Sequence, residues 1–421
     1  MATTATSAAE TCAAAKRAAH ELARAGTEHK NAALDAAARL LEERRALVLE
    51  ANAADLADDR AARLTSALRD RLTVTDQRVA DMAAGVREIA ALPDPVGEEL
   101  ERRTLQSGLE MRKLRVSLGV VAVVYEARPN VTVDCAGLTI KSGNAIVLRG
   151  SSYAERSNGA LAAIMRDAVA EAGLPEDSVL LLAGGEREDL KELATQDGLV
   201  DLLIPRGGEG LKAVLKDVAT VPVLYAAAGN CHVYVDADAD LEMARRIAFN
   251  AKVQRPGVCN SAETLLVHES VASDFLPGIL SDLHRAGVEL TGDARARESA
   301  DGVEVAAASA EDWDTEFLDM KMAVGVVDSL EDAIDHINSH GTGHSEAIVT
   351  SSERSAEEFT GAVDAAAVYV NASTRFTDGF EYGMGAEIGN STQKLHARGP
   401  IGLRELTTFK YVLHGDGQVR G

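Results

Sequence analysis

The stretch GVVAVVYEARPNVTVDCAGLTIKSGNAIVLRG, residues 119–150, decides the fold class of this chain. It begins with a continuous apolar run, continues with helical spacing over 131–142, and returns to an apolar run at 145–150. An uninterrupted apolar run is typical of a strand that is buried on both faces of a parallel sheet. The stretch therefore predicts a strand, a crossover helix and a second, parallel strand.

The same alternation extends to both sides of this stretch. Ala- and Leu-rich patterns predict helices over roughly 7–60 and 76–92, and alternating patterns predict exposed strands at 109–116 and 406–414. After residue 150 we expect a helix over 153–172, a strand at VLLLAG, a helix from Glu186, and strands at DLLIPRGG and VPVLYA. A second unit begins at CHVYVDADAD, residues 231–240, with a helix over 241–254 and a strand at ETLLVH. This pattern predicts an α/β fold whose parallel sheets bind ligands at the carboxyl ends of their strands.

Length and charge limit the functions that this chain can have. Its 421 residues, of which 46% are hydrophobic, predict two or three domains with substantial cores. A formal net charge of −23 repels phosphate backbones, so we expect no nucleic-acid partner. The longest apolar run, Leu118 to Tyr125, is too short to span a membrane, and the first residues lack the pattern of a signal peptide. We therefore expect a cytoplasmic protein.

The four cysteines suggest neither a disulfide scaffold nor a zinc site, because none has a CxxC or Cys/His spacing. Cys259, in QRPGVCNSAET, follows a predicted helix and a Pro-Gly turn and precedes a strand. Such a turn can expose a thiol and direct backbone N–H groups at it, and the nearby Arg255 favours the thiolate. A buried, inert thiol is the alternative. For Cys12, Cys135 and Cys231 that alternative is much favoured.

Asn130 ends YEARPN, where the first strand of the predicted sheet ends. An amide held at this edge could donate to a developing oxyanion, and it could also cap the helix predicted to begin near Thr132. The glycine clusters IPRGGEG and KSGNA are weak signals for phosphate binding, because neither is a GxGxxG or Walker A motif. His336, His340 and His344 have helical spacing, but Gly341 and Gly343 interrupt the helix, so we expect no metal site.

Eight segments, in order along the whole chain, resemble the gamma-glutamyl phosphate reductase family, a branch of the aldehyde dehydrogenase superfamily. The segments are YEARPNVTVD, KSGNAIVLRG, LLIPRGG, NCHVYVD, QRPGVCNSAETLLVH, HGTGHSEAIVT, YVNASTRFTDGFEYGMGAEI and STQKLHARGP. The resemblance implies an NADPH-dependent oxidoreductase that reduces L-glutamyl 5-phosphate to L-glutamate 5-semialdehyde and phosphate. This reaction is the second step of proline synthesis from glutamate.

The resemblance also implies an aldehyde dehydrogenase-like architecture of three parts. A Rossmann-type NADP-binding domain is expected at 1–98 and 119–228, and an α/β catalytic domain carrying Cys259 at 229–390. A β-arm for oligomerisation is expected at 99–118 and 391–421, which agrees with the exposed alternating strands. A homo-oligomer, either a dimer or a tetramer, follows from that arm.

Residue by residue, the resemblance assigns the catalytic roles to Cys259, as the thiolate that forms a thioester, and to Asn130, as an oxyanion donor. The positions that match cofactor contacts are Lys141, Arg149, Ser151, Arg206, Gly207, Gly208 and Glu316. Candidate anchors for a substrate with two anionic ends are Arg128, Arg255 and Arg375, since a guanidinium binds carboxylate or phosphate bidentately. Each of these arginines could instead belong to a structural ion pair.

One missing side chain favours the phosphorylating reaction. Hydrolytic aldehyde dehydrogenases share a Glu-Leu-Gly-Gly segment whose Glu activates water, and the corresponding residues 226–229 here are Ala-Ala-Ala-Gly. Glu263, four residues after Cys259, could replace that base if it faced the thioester. A hydrolytic aldehyde dehydrogenase is therefore one alternative, and a nucleotide-binding scaffold or regulator is the other. Because acyl phosphates are labile, a transient contact with glutamate 5-kinase is a further hypothesis.

Overall fold

The computed structural model describes residues 7–182, 187–226 and 228–420 of the chain. These residues form two compact units. The first unit comprises the described parts of Met1–Ala226, Gly383–Gly389 and Ile401–Gly421, and the second comprises those of Ala227–Tyr382 and Asn390–Pro400. The functions that we assigned to the predicted domains stay a prediction.

Helices rich in alanine and leucine open the first unit. Ser7 begins the first of them with a capping box, in which its hydroxyl accepts from the Glu10 N–H at 3.2 Å and the Glu10 carboxylate accepts from the Ser7 N–H at 3.1 Å. The helices of this unit are α1 (Ala8–Leu22), α2 (Thr27–Glu43), α3 (Arg45–Leu56), α4 (Ser66–Leu72), α5 (Asp76–Ala91), α6 (Asn130–Lys141), α7 (Glu155–Glu171), α8 (Arg187–Ala194) and α9 (Glu209–Val218).

A four-stranded parallel sheet forms the centre of the first unit. The strands of this part of the chain are β1 (Glu99–Thr104), β2 (Glu110–Ser117), β3 (Val120–Tyr125), β4 (Ala145–Arg149), β5 (Val179–Leu181) and β6 (Leu202–Arg206). The sheet has the order β5-β4-β3-β6, and β3 is buried along its whole length. The predicted strand–helix–strand unit of residues 119–150 is thereby confirmed.

The second unit contains a seven-stranded parallel sheet. Its strands are β7 (Cys231–Val235), β8 (Ala262–His268), β9 (Glu289–Gly292), β10 (Ala306–Ala307), β11 (Lys321–Val327), β12 (Ser345–Val349) and β13 (Ala367–Val370). Its helices are α10 (Leu241–Val253), α11 (Glu269–Arg285), α12 (Ala294–Glu298), α13 (Ala310–Asp314), α14 (Leu330–His340) and α15 (Glu353–Ala362). The strand order is β10-β9-β11-β8-β7-β12-β13, so β7 lies between strands that are distant from each other in sequence.

Antiparallel pairing completes the fold near the end of the chain. The short strands β14 (Asn390–Ser391) and β15 (Gly399–Pro400) pair with each other, and β16 (Thr407–His414) pairs with β2, which also pairs with β1. Both alternating strands predicted from the sequence are thereby confirmed. The last strand exposes three large apolar side chains, those of Phe409, Tyr411 and Leu413.

One predicted strand is wrong. VPVLYA, residues 221–226, contributes an isolated bridge between Val223 and Leu203 and no extended pairing. Pro222 accepts from the Leu203 N–H at 2.8 Å, but it has no N–H to donate in return, which limits the ladder. The start of the helix predicted from Glu186 lies outside the described residues, and α8 is described from Arg187.

The helices are of ordinary length for an α/β protein. The longest, α2, α7 and α11, have 17 residues each. In the described ranges no helix is both long enough and apolar enough to cross a lipid bilayer.

Candidate active site

Cys259 lies in the turn that joins α10 to β8 in the second unit. Its side chain is half-buried, whereas those of Cys12, Cys135 and Cys231 are buried. The turn is closed by the Ser261 N–H, which donates to the Val258 carbonyl at 3.0 Å. Among the cysteines of the described chain, Cys259 is therefore the one that a substrate can reach.

The main chain of Cys259 is in very close contact with a glycine. A Cβ atom built on Gly229 would lie 1.5 Å from the Cys259 carbonyl oxygen, so no other residue fits there without displacing the turn. The Cys231 thiol donates to the same oxygen at 3.2 Å. These two contacts fix the main chain that carries the Cys259 side chain.

Asn260 attaches the Cys259 turn to the segment that follows β13. Its side-chain Nδ2 donates to the main-chain carbonyl of Thr377 at 2.9 Å and to that of Arg375 at 3.3 Å. The main-chain carbonyl of Asn260 accepts from the Thr374 hydroxyl at 2.7 Å. These three hydrogen bonds therefore hold the segment that contains Arg375 beside Asn260, the residue that follows Cys259. Sequence reasoning did not identify Asn260, although an asparagine next to the candidate nucleophile was a usable signal.

Two of the three predicted substrate anchors lie in this region. The Arg375 Nε donates to the Gln254 side chain at 2.8 Å. Burial and then the neighbouring Arg255 charge lower the pKa of Arg375, while the Cys259 group opposes that shift. Arg255 and Cys259 thus form a cluster with Arg375, within its electrostatic range, and the Asp378 carboxylate lies in range of Arg375 as well. Arg128 belongs to the first unit, in the loop between β3 and α6.

A row of hydrogen-bonded side chains, most of them hydroxyl groups, contacts the segment that contains Arg375. The Thr377 Oγ1 lies 2.7 Å from the Tyr369 hydroxyl and 2.6 Å from the Ser345 Oγ. The Tyr369 hydroxyl contacts that of Tyr382 at 2.6 Å, and the Ser345 Oγ contacts the His344 Nδ1 at 2.7 Å. We call these five residues the hydroxyl chain. It ties the Arg375 segment to β12 and β13, and sequence reasoning did not identify it.

Glu263 does not lie where a substitute for the missing base would be needed. Its carboxylate is fully buried, accepting from the Lys252 ammonium at 2.5 Å and from the Leu318 N–H at 3.2 Å. Desolvation raises the pKa of Glu263 to about 7, and the paired ammonium opposes that shift. Both oxygens are engaged in the core, so the expectation that Glu263 could activate water is wrong.

Asn130 occupies the first position of α6 in the first unit, and its side chain is exposed. Its Nδ2 donates to the Asp134 carboxylate at 2.9 Å, one turn further along the helix. No side-chain cap is present at the start of α6, so the capping alternative for Asn130 is wrong. Asp134 was missed from the sequence, although its spacing of four residues on a predicted helix was the available signal.

A model of the aldehyde dehydrogenase family matches residues 1–297. The chain belongs to the aldehyde dehydrogenase family. It is an oxidoreductase, and the fold expected for this family is confirmed.

The closely similar family members share one name. A gamma-glutamyl phosphate reductase of Moorella thermoacetica is 55% identical over 406 residues, covering 96% of this chain and 97% of the relative. The crystal structure of a gamma-glutamyl phosphate reductase from Thermotoga maritima has a TM-score of 0.96 at 45% identity and covers 98% of this chain and 100% of that one. These relatives confirm the resemblance that the eight segments indicated.

A more distant family member shares only the fold. The glyceraldehyde-3-phosphate dehydrogenase GapN of Methanocaldococcus jannaschii, solved in complex with NADP, has a TM-score of 0.68 at 18% identity and covers 97% of this chain and 94% of that one. Aldehyde dehydrogenases use a nicotinamide cofactor.

Several of the predicted cofactor residues lie at the carboxyl edge of the first sheet. Arg149 ends β4, Ser151 follows it and accepts from the Tyr153 N–H at 3.3 Å, and Arg206 ends β6. Gly207 and Gly208 form the turn into α9, and this edge is where parallel sheets bind nucleotides. Two arginines and a glycine turn at the same edge of one sheet fit an anionic cofactor.

The cofactor contact predicted for Lys141 is wrong. Its ammonium is fully buried and donates to the Asn31 side chain at 2.6 Å and to the Ala90 carbonyl at 2.7 Å. Burial lowers its pKa, and these contacts hold α6 against α2 and α5. Lys141 ends the helix and points into the interior, away from the carboxyl edge of the sheet, so it does not fit a cofactor contact.

The glycine turn already holds one carboxylate. The Gly208 N–H donates to the Glu126 carboxylate at 3.0 Å, and a Cβ atom on Gly207 would lie 2.8 Å from the same oxygen. A phosphate bound at this amide must therefore displace Glu126. In the second unit, the Glu316 carboxylate accepts from the Gly229 N–H at 2.6 Å, which places it on the segment that contacts Cys259.

The three spaced histidines do not point to one place. His336 and His340 lie on α14 with their rings 4.5 Å apart, whereas His344 lies beyond the helix in the hydroxyl chain. Burial lowers the pKa of His336 to about 3 and that of His344 to about 4. Within the described ranges no group of three or more His, Cys, Asp or Glu side chains could hold a metal ion.

Proposed function

We propose that this chain reduces L-glutamyl 5-phosphate to L-glutamate 5-semialdehyde and phosphate with NADPH, through a thioester on Cys259, as the second step of proline synthesis from glutamate. The reductases named above, at up to 55% identity over 96% of the chain, support the substrate. The observation that carries the proposal is the cluster of Cys259, Arg255 and Arg375, with Glu263 turned into the core. This arrangement attracts an acyl phosphate, and it keeps the Glu263 carboxylate from acting as a water-activating base.

The first step forms the thioester. The Cys259 thiolate attacks the acyl carbon, and the carbonyl electron pair moves onto the oxygen. Collapse of this tetrahedral adduct breaks the bond between carbon and the phosphate oxygen, and phosphate leaves with that electron pair. Arg255 and Arg375 hold the phosphate dianion, since two adjacent guanidinium groups gain most when an anion lies between them.

The oxyanion requires hydrogen-bond donors that are in place before it forms. From the family resemblance we assign this role to the Asn130 amide and to the Cys259 backbone N–H. One such donor contributes roughly 3–4 kcal/mol to the transition state. Arg128, in the loop before Asn130, remains our candidate for the second anionic end of the substrate.

The second step reduces the thioester. A reduced nicotinamide, when bound, would supply a hydride to the thioester carbon. Collapse of that adduct breaks the carbon–sulfur bond, which releases the aldehyde and returns the Cys259 thiolate. We propose that the cofactor is NADPH and that the Arg149 guanidinium favours its 2′-phosphate. The residues proposed to hold this cofactor are Arg149, Ser151, Arg206, Gly207, Gly208 and Glu316. Residues 226–229 bring no carboxylate to the thioester, and Glu263 is paired with Lys252. The acyl group therefore persists long enough to be reduced instead of hydrolysed.

The test is the reverse reaction, because the acyl phosphate is too unstable to supply. NADP reduction is followed with glutamate semialdehyde, with inorganic phosphate and with sulfate at equal ionic strength as the control. We expect a strict requirement for phosphate and a much lower rate with NAD. Equal rates in phosphate and in sulfate would show that water deacylates Cys259, and the hydrolytic alternative would then replace this proposal.

We also propose that the antiparallel sheet of β1, β2 and β16 serves as an arm that assembles a homo-oligomer. It exposes Phe409, Tyr411 and Leu413 on one edge strand, where further strand pairing can bury them. Light scattering of the wild type against Tyr411→Lys measures this. A wild type of monomeric mass would remove the proposal.

A transient contact with glutamate 5-kinase is proposed on chemical grounds alone, since an acyl phosphate hydrolyses while it diffuses. Coupled turnover of the two enzymes would then show a shorter lag than the free diffusion of the intermediate allows. A lag that is unchanged when an inactive reductase competes for the kinase would exclude it.

A further inference from the structure

Resting on the proposed function, in which Asn130 donates to the oxyanion, we propose that Asp134 is a positioning residue that fixes the orientation of the Asn130 amide. The two residues lie four positions apart on α6, and the Asn130 Nδ2 lies 2.9 Å from the Asp134 Oδ2. Side chains at this spacing lie on the same face of a helix. The bond is therefore built into the helix itself.

The chemistry of the two groups determines which end of the amide is held. An ionised carboxylate can only accept hydrogen bonds, whereas an amide presents two N–H donors at one end and an oxygen at the other. Asp134 therefore selects the NH₂ end of Asn130 and leaves its second N–H as a donor. A flipped amide would present its oxygen to the oxyanion, which would repel it.

The surroundings of Asp134 distinguish it from a solvated surface charge. Its side chain is half-buried, and it lies within electrostatic range of Arg206, at the carboxyl end of β6. Burial raises the pKa of Asp134 to about 6, while the Asn130 hydrogen bond and the Arg206 charge oppose that rise. Burying this carboxylate at the edge of the sheet therefore costs free energy. Its described hydrogen bond there is with Asn130.

The same kind of bond elsewhere in the unit supplies a matched control. On α5 the Gln77 Nε2 donates to the Asp81 carboxylate at 2.8 Å, also over four residues, and Asp81 is exposed. Asp81→Ala removes an amide–carboxylate pair of the same spacing without touching the carboxyl edge of the sheet. It therefore measures what the loss of such a bond does to the helix alone.

The experiment compares kcat and KM in the full-length enzyme for Asp134→Ala, Asn130→Ala, the double variant and Asp81→Ala. The assay is phosphate-dependent NADP reduction with glutamate semialdehyde. We expect Asp134→Ala to lower kcat about tenfold or more with KM within about twofold, because a misplaced donor loses much of its effect. The double variant should be no slower than Asn130→Ala, since Asp134 acts only through Asn130. Asp81→Ala should retain the wild-type rate.

Three outcomes would overturn the proposal while leaving the proposed function intact, because the wild type would still require phosphate. An unchanged kcat in Asp134→Ala is the first, and losses that multiply in the double variant are the second. The third is a raised KM at unchanged kcat for glutamate semialdehyde, with no effect on a substrate lacking the amino group, which would make Asp134 a ligand for the substrate's ammonium. If Asp134→Ala fails to fold, the isosteric Asp134→Asn replaces it under the same criteria.

Discussion

Two acids stand four residues after the two proposed catalytic residues, and they serve opposite purposes. Asp134 follows Asn130 on a helix, where four residues advance the chain by only about 6 Å and return the side chain to the same face. Glu263 follows Cys259 across a turn into β8, and its carboxylate is buried against Lys252. Equal spacing in sequence therefore places one acid against the proposed oxyanion donor and the other in the core. The secondary structure between two residues, and not their separation, decides whether they cooperate.

The largest effect should come from the nucleophile itself. Cys259→Ser should abolish turnover, by about a thousandfold or more, because a serine hydroxyl without an adjacent base is a poor nucleophile at neutral pH. NADPH affinity, measured by fluorescence titration, should change little. Turnover like that of the wild type would exclude the thioester mechanism, and Cys259 and Asn130 would then no longer share a catalytic role.

The next effect tests how the Cys259 turn is supported. Gly229→Ala should lower kcat about a hundredfold, because the new Cβ would lie 1.5 Å from the Cys259 carbonyl oxygen and the turn must shift. Gly361→Ala is the matched control, since a Cβ at that glycine of α15 meets nothing within 4 Å. Steady-state kinetics of both variants decide the matter. Equal rates for the two would show that the turn tolerates the displacement.

The third prediction concerns stability and not rate, because Glu263 belongs to the core. Lys252→Met leaves a buried carboxylate without its partner and should destabilise the fold by about 3–5 kcal/mol in denaturant unfolding at pH 7. Lys252→Met combined with Glu263→Leu should recover most of that loss. The rate per folded molecule should stay within about twofold of the wild type. A lost rate at unchanged stability would instead place Glu263 at the site.

The smallest effect is a pH dependence at Asp134. Its pKa is raised to about 6, so the carboxylate that holds Asn130 is ionised above that pH and becomes protonated as the pH falls below it. The groups in its electrostatic range are Asn130, Arg206 and Cys135. We expect kcat to fall a few-fold between pH 7 and pH 5 in the wild type, and this acid limb to flatten in Asp134→Asn. An identical limb in both would assign it to another group.

Much of the fold follows from local pattern. Continuous apolar runs such as that of β3, bounded by glycine and proline, mark strands buried on both faces, and the helices between them are visible from their spacing. VPVLYA failed because its apolar composition was given more weight than Pro222, whose missing N–H limits the ladder. The pattern of a segment predicts its burial more reliably than its hydrogen bonds.

The accessible position of Cys259 in a turn was predictable from its own segment, and its catalytic role stays a prediction from the family resemblance. The site was not predictable where it depends on tertiary contacts. Whether Lys141 reaches the sheet edge or the interior is decided by how α6 packs against α2 and α5, which the residue itself does not encode. The meeting of Ser345 and Thr377 likewise depends on the neighbouring positions of β12 and β13.

The hydrogen bonds of the hydroxyl chain can all be donated in the same direction along it. Each hydroxyl carries a single hydrogen, so one arrangement that satisfies every contact has Tyr369 donating towards Thr377, Thr377 towards Ser345, and Ser345 towards His344. Burial lowers the pKa of His344 to about 4, so near neutral pH its ring is uncharged and can either accept or donate at Nδ1. With the other tautomer of His344, whose Nδ1 donates to Ser345, the opposite arrangement satisfies the same contacts. The direction of the hydroxyl dipoles next to the Arg375 segment is therefore coupled to the tautomer of one histidine.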